Sequence, residues 1–395
     1  MGELALGPAE QAAWLARNAV DCLPRGELER KLAQGRPLRV KLGIDPTAPD
    51  IHLGHTIVLR KLREFQDLGH LIVLIIGDYT ARVGDPSGRS ELRPMLDGAE
   101  IEANALTFQE QAFAVLDRHR VEVRHNSEWL EMPMQALFAL ARTATVAQIL
   151  EREDFAKRLA AATPVSVLEL LYPLLQGYDS VAVNADVELG GTDQKFNLLL
   201  ARDVQRAYGI AEQVVLTMPI LPGTDGVRRM GKSLGNYIAV RDSAADIYGK
   251  TLSIPDQALD SWYALLMDDG AERPSDPLTA KRQLASVLAA RFHGSEQSAA
   301  AEAEFDKVHR RHEAPSELPE LELTDQDGQG RIHLPLVLSH AFGISTSEAR
   351  RALVQGGVRL DGAVVAADPL DLPSAELDGR VLQLGRRRFA RLWVR

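Results

Sequence analysis

The chain has 395 residues, 45% apolar and 25% charged, enough apolar material for two or three packed domains. No apolar run nears the roughly 18 residues that span a bilayer. The N-terminal stretch lacks a basic segment leading into an apolar one, and the single cysteine, Cys22, excludes an internal disulfide or a cysteine-based metal cluster. A cytoplasmic protein without membrane attachment is expected. The net charge of −10 argues against a protein that coats nucleic acid. Residues 331–395, however, hold ten Arg, no Lys and six acids, a balance of +4 that leaves −14 for the rest. An acidic body with a basic tail suits a chain in which one module meets a polyanion.

In chain order, residues 1–37 read as helical, ending at Gly35 and Pro37. LRVKLGI (38–44) reads as a buried strand that runs into a turn at 45–50. Apolar residues at 53, 57, 59, 62, 65 and 68 have helical spacing, and Gly69 is a natural stop. LIVLIIG (71–77) is apolar on both faces, as in a parallel sheet. Strand, helix and strand within about 40 residues make a βαβ unit. VEVRH (121–125) and VVLTMPI (214–220) are further strands, and the largely helical residues 127–180 between them read as an insertion between two halves of an α/β sheet. Residues 241–312 are helical. Residues 313–330, with six acids, two Pro, two Gly and no basic residue, read as an extended linker. The last module, 331–395, carries helix signals at 334–342 and 346–355 and then short β segments.

Four constellations carry chemistry. His52-Leu53-Gly54-His55 opens the helix after the first strand, where free backbone N–H groups favour phosphate and two imidazoles add donors. Two histidines without further ligands make a poor zinc site. Gly226 to Ser233 formally matches a P-loop, but Leu234-Gly235-Asn236 is a poor start for the helix that a P-loop needs. The other reading is a mobile Gly-rich loop whose Lys232 and Arg229 swing onto phosphates. Tyr172, Gln176 and Asp179 share one helical face among leucines, fit for a ligand that is mostly ring with a polar tip. In Gly190-Gly191-Thr192-Asp193-Gln194, glycines permit close approach and Asp193 can accept from a ribose hydroxyl; alone, this is only a turn.

Together these residues resemble class I aminoacyl-tRNA synthetases, and among them the tyrosyl enzymes of bacterial type. HLGH (52–55) is similar to the HIGH signature, and Arg229-Met230-Gly231-Lys232-Ser233 to KMSKS; GDPSG (84–88), the 172–179 run and GGTDQ (190–194) follow further tyrosyl motifs in order. The resemblance covers essentially the whole chain. It implies an α/β fold: a Rossmann-like parallel-sheet catalytic domain over 1–240 with the helical insertion at about 127–180, an all-α tRNA-binding domain over 241–312, the linker 313–330, and over 331–395 a C-terminal α+β RNA-binding domain of the ribosomal small-subunit protein type. It implies activation of L-tyrosine by ATP, with magnesium as part of the substrate complex and no tightly bound metal, transfer to tRNA(Tyr), and a homodimer.

By the same resemblance Thr47, His52 and His55 contact phosphates, Lys232 with Arg229 and Ser233 clamps pyrophosphate, and Asp45, Gly54, Gly191, Asp193 and Met230 complete the ATP site. Asp85, Tyr172 and Gln176 bind the amino group of tyrosine, Asp179 meets its hydroxyl, and Gln194 sits beside its carboxylate. Lys41 and Asp78 also belong to the tyrosine site by this resemblance; Lys41 stands where many bacterial relatives carry Tyr, so the phenol is read by another group, with Asp78 or Asp179 alone as the choices. In the tail, Arg350, Arg351, Arg386, Arg387 and Arg388 face RNA. A tryptophanyl enzyme is the nearest rival; a P-loop NTPase with an RNA-binding tail and a non-catalytic RNA-binding paralogue are more distant ones.

Overall fold

The computed structural model describes residues 6–47, 50–86, 98–268, 270–311, 313–315, 318–324, 330–385 and 388–395. It divides into two compact units, Met1–Ser243 with Lys250–Leu288, and Ala244–Gly249 with Ala289–Arg395.

The first unit is built on a six-stranded sheet. Its strands are β1 (Asp21–Leu23), β2 (Arg39–Ile44), β3 (Leu71–Ile76), β4 (Val121–His125), β5 (Val187–Gly191) and β6 (Val214–Met218). The order is β1-β6-β5-β2-β3-β4, parallel throughout except for β1 on the edge. The chain moves outward from β2 through β3 to β4, then returns to β5 on the other side of β2. The order therefore reverses between β2 and β5, the switch point where open α/β sheets leave a crevice at the carboxyl ends of their strands.

The helix Leu53–Asp67 turns its apolar stripe to the sheet, burying Leu53, Ile57, Leu59, Leu62 and Phe65. On the insertion side, Leu140, Ile149 and Phe155 pack with Leu174, Leu175, Leu200 and Val204. That cluster joins the insertion to the helices Val167–Ala182 and Lys195–Ala207. These two helices approach closely because of Gly177, where a Cβ would lie 2.9 Å from a Val204 methyl.

Two elements depart from the sequence expectation. Residues 1–37 are not all helical: β1 lies between the helices Pro8–Leu15 and Glu27–Leu32. It is held on the sheet edge by Asp21, which accepts from Thr217 Oγ1 and Lys195 Nζ, each at 2.7 Å. β5 is a full internal strand where the sequence suggested only a turn, because its Glu188 breaks the apolar run.

In the second unit, β7 (Glu320–Leu323), β8 (Arg331–His333), β9 (Val358–Leu360), β10 (Ala363–Val364), β11 (Asp371–Pro373), β12 (Val381–Leu384) and β13 (Arg388–Val394) form a five-stranded sheet, β10-β9-β12-β13-β7, and a two-stranded one, β11-β8. The helices Leu334–Phe342 and Thr346–Val354 cover a core of Leu334, Leu338, Leu353, Val358, Leu382 and Leu392. A Ser345–Glu348 capping box starts the second helix. The expected linker is thus partly structural. Residues 320–323 pair in parallel with β13 and bury Leu323, so alternation of Leu and Glu in ELEL marks an edge strand rather than a spacer.

Candidate active site

A cavity of about 1030 Å³ opens at the carboxyl ends of β2 and β5, as the strand order requires. Asp45, Thr47, His52, Gly54, His55, Asp85, Tyr172, Gln176 and Asp179 line it. So do Gly191, Asp193, Gln194, Arg229, Met230, Lys232 and Ser233.

One end is rich in donors. The helix Leu53–Asp67 starts with a capping box made of imidazoles: His52 Nδ1 accepts from Gly54 N at 3.2 Å, and His55 Nδ1 accepts from His52 N at 3.2 Å. Each ring uses Nδ1 as an acceptor, so the proton of the neutral ring sits on Nε2, leaving two N–H donors for a ligand. Burial pushes both pKa values down, His52 to about 2 and His55 to about 4; the neighbouring ring and Lys232 add to the shift at His52, and Lys232 does so at His55. The rings stack at 3.9 Å, and a Cβ at Gly54 would lie 3.0 Å from the His52 ring. A side chain at that position would crowd the pair.

The segment carrying Lys232 reaches this end through backbone pairing. Leu53 N donates to Ile238 O at 3.0 Å and Val240 N to Ile51 O at 2.9 Å. The lysine loop is pinned at its base: Met230 N donates to Leu221 O, and Asn236 accepts from Gly231 N while donating to Asp225 and to the Arg229 carbonyl. Lys232 Nζ is buried without a hydrogen-bond partner, and an Asp50 oxygen lies 3.6 Å away. Desolvation pulls its pKa down. Such an ammonium gains from a ligand anion. Arg229 stands 3.5 Å from Asp193. The P-loop reading fails on geometry: Ser233 sits in a three-residue 3-10 turn ended by Gly235 at φ 65°, with no α-helix to receive phosphate.

The other end is rich in carboxylates. Asp45 accepts from Thr80 Oγ1 at 2.6 Å and from Tyr172 OH at 2.9 Å. Burial pushes Asp45 up to about 7 and raises the Tyr172 phenol well above its usual value, with the nearby carboxylates adding to the rise. Asp179 accepts from Trp129 Nε1 at 2.8 Å and Asn126 Nδ2 at 3.5 Å, and burial pushes it up to about 6 against the opposing charge of Lys41. Asp85 accepts from Gln194 Nε2 at 2.8 Å and meets Arg152 at 3.4 Å. Burial also raises Asp193.

Two expected residues are not in the cavity wall. Lys41 lies beneath it, fully buried and bonded to Glu188, Ser180 and the Gln176 carbonyl. Asp78 is occupied with Ser127, through its backbone N–H and its hydroxyl. Of the two groups considered for the phenol, only Asp179 faces the cavity. In the tail, Arg350 and Arg351 are exposed on the helix Thr346–Val354, and Arg388 begins β13; Arg386 and Arg387, like Ser87 and Gly88 of GDPSG, lie outside the described residues. Sequence reading missed Thr80, Asn126, Trp129, Arg152, Glu188 and Asn197. None sits in a motif, and each acts by bonding a residue that does.

A family model described as class I tRNA synthetases (W and Y) matches residues 33–310. The Tyrosine--tRNA ligase of Moorella thermoacetica is 48% identical, covering 97% of this chain and 96% of that protein. That of Thermotoga maritima is 48% identical, with 98% of each covered. Among solved structures, the tyrosyl-tRNA synthetase from Archaeoglobus fulgidus complexed with L-tyrosine aligns with a TM-score of 0.60 at 22% identity, over 74% of this chain and 99% of that one. The Aeropyrum pernix tyrosyl-tRNA synthetase aligns with a TM-score of 0.60 at 22% identity, over 75% and 99%. At that identity the two structures speak for the fold alone.

The carboxylate end rests on Gly77, where a Cβ would fall 2.1 Å from Asp45 Oδ1 and 2.4 Å from Thr80 Oγ1. Gly77→Ala is expected to displace Asp45 and to cost about 1–3 kcal/mol by overpacking, read by urea unfolding. Wild-type stability in that variant would show that the site yields freely.

Proposed function

The chain belongs to the class I tRNA synthetases of the tryptophan and tyrosine group, and we propose that it activates L-tyrosine with ATP and charges tRNA(Tyr). The tyrosine carboxylate attacks the α-phosphorus of ATP, the bond to pyrophosphate breaks, and tyrosyl-adenylate forms. A terminal ribose hydroxyl of tRNA then attacks the acyl carbon and AMP leaves. Magnesium enters with ATP as part of the substrate. No protein nucleophile is needed, so catalysis consists of positioning and charge stabilisation.

One observation carries the reading: a single cavity holds neutral imidazole donors and a buried ammonium at one end and the carboxyl groups of Asp45, Asp85 and Asp179 at the other, with Asp193 beside Arg229. The donor end suits a polyphosphate. The carboxyl end suits a ligand with an ammonium and a phenol, Asp85, Tyr172 and Gln176 taking the first and Asp179 the second. Asp193 and Gly191 take the ribose, and Gln194 lies by the carboxylate. Asp45 acts here through Tyr172, which donates to it.

Exposed Arg350, Arg351 and Arg388 give the second unit its RNA surface. The helices Ala244–Leu252, Leu259–Leu266, Pro277–His293 and Ser295–His309 lie within the segment 241–312 read as tRNA-binding. Exposed Met134, Phe138 and Val146 in the insertion support pairing of two copies. Among the described residues no helix is long and apolar enough to cross a membrane.

Pyrophosphate exchange against all twenty amino acids tests the activity: exchange with tyrosine is expected, and exchange with tryptophan instead would move the chain to the sister specificity. Lys232→Ala should lower the rate of adenylate formation about 100-fold or more while tyrosine binding holds; equal loss of both would remove the loop from catalysis. The site also fixes a pH dependence. As pH falls through about 7 and then about 6, Asp45 and Asp179 take up protons; Tyr172 loses the acceptor that orients it toward the ammonium, and the phenol loses Asp179. KM for tyrosine should rise there. KM for ATP should rise less, because the imidazoles titrate only near about 4 and 2 and the raised Asp193 meets the ribose alone. A parallel rise of both constants would contradict the two-ended cavity. Replacing Arg350 and Arg351 by Ala should lower tRNA charging and leave pyrophosphate exchange intact, since phosphate contacts position the RNA.

A further inference from the structure

Beneath the cavity floor, Lys41 on β2 and Glu188 on β5 face each other in register, both essentially inaccessible to solvent. Their polar atoms are fully used. Lys41 Nζ donates to Glu188 Oε1 at 2.9 Å, Ser180 Oγ at 2.8 Å and the Gln176 carbonyl at 3.0 Å, three bonds for three protons. Glu188 also accepts from Ser180 Oγ at 3.1 Å, from Gln176 Nε2 at 3.2 Å and from Gln213 Nε2. A buried pair of this kind contributes little net stability, since desolvation offsets the attraction, but breaking one partner is costly.

Directional order is what the pair adds. Arg152 donates to Asn197 Oδ1 at 2.9 Å, Asn197 Nδ2 donates to Gln176 Oε1 at 2.9 Å, and Gln176 Nε2 donates to Glu188. Guanidinium can only donate and carboxylate can only accept. The two ends therefore fix the sense of every amide between them, and neither Asn197 nor Gln176 can turn over without setting donor against donor and acceptor against acceptor. Asn197 Nδ2 also donates to Gln194 Oε1 at 3.1 Å, whose Nε2 holds Asp85, so the same order reaches a second wall of the cavity.

We propose that Lys41, Glu188 and Asn197 are positioning residues that lock the Gln176 carboxamide with its oxygen held as an acceptor for the ammonium of the bound amino acid. Lys41 thus serves the substrate without touching it. The proposal rests on the reading of the cavity as a tyrosine site and adds how that site recognises the ammonium. A merely structural pair would support the sheet and leave ammonium recognition unchanged.

The test uses the full-length enzyme and two inhibitors of tyrosine-dependent exchange. Tyramine keeps the ammonium and phenol; 3-(4-hydroxyphenyl)propionate lacks the ammonium. The double variant Lys41→Met with Glu188→Gln removes both charges at once, so no lone buried ion remains, and it frees the amide chain to reverse. Tyramine inhibition should weaken about tenfold, the scale of one lost hydrogen bond to a charged group, while the propionate inhibits within about twofold of wild type. Asn197→Asp, which cannot donate to Gln176, should give the same split from the other end and stands in if the double variant does not fold. Equal change with both inhibitors, or no change with either, overturns the proposal. Wild-type exchange with tyrosine is read first and separately: its failure would strike the activity itself, whereas the ratio of the two inhibition constants strikes only the positioning role.

Discussion

Two backbone hydrogen bonds, from Leu53 to Ile238 and from Val240 to Ile51, hold the cavity in its present form. They close the sequence separation between the imidazole helix and the lysine loop, a closure whose entropic cost grows only slowly with length. Without them the capping box of His52 and His55 would still form, since it is local to the helix start. Lys232, however, would have no fixed relation to it. Asn236 completes the arrangement by holding Gly231 N and the Arg229 carbonyl, so the loop arrives with its lysine already facing the rings. What the sequence suggested as a mobile loop has a pinned base.

The electrostatics of the cavity follow from burial more than from charge count. Two histidines close to Lys232 would repel it if protonated; desolvation keeps them neutral and so lets three donors share one end. At the opposite end several carboxyl groups converge; burial raises Asp45 and Asp179 toward neutrality, with Asp85 and Asp179 adding to the rise at Asp45 and Glu188 to that at Asp179. A ligand that brings an ammonium to this end relieves the strain between them. A ligand that brings phosphates to the other end satisfies an ammonium that lacks a hydrogen-bond partner. Each half of the site is thus incomplete alone, and a zwitterion reacting with a polyphosphate completes both.

Much of this was legible in the sequence. The parallel strands β2, β3, β4 and β6 and the helix between β2 and β3 were readable from apolar pattern and punctuation, as were the two tail helices. Motif residues at strand ends and helix starts could be found because they need special neighbours, such as Gly54 between its two rings. β5 escaped because Glu188 interrupts it, and a lone acid in an apolar run reads as a break unless its partner is known. That partner, Lys41, is 147 positions away in sequence and adjacent in space. Lys41 was therefore placed in the wall, and the pair beneath the wall went unseen. Thr80, Asn126, Trp129, Arg152 and Asn197 were hidden for the same reason: their roles exist only as bonds to other side chains. β7 was masked by composition, since four alternating residues in an acidic stretch look like a spacer until β13 lies beside them.

The global charge is a poor guide to what the cavity binds. A net charge of −10 predicts weak affinity for polyanions at long range, and such fields are screened within about a Debye length. Within the cavity, recognition depends on a few donors with low exposure to water, where each interaction is stronger than at the surface. Lys232 and the two Nε2 donors meet that condition, and the acidic surface has little bearing on them. The tail faces the opposite situation: Arg350, Arg351 and Arg388 are exposed, so RNA binding of the kind proposed for them should weaken with salt while adenylate formation does not. One chain can therefore carry an acidic body and still hold a polyphosphate, because recognition in the cavity rests on a few shielded donors and not on the net charge.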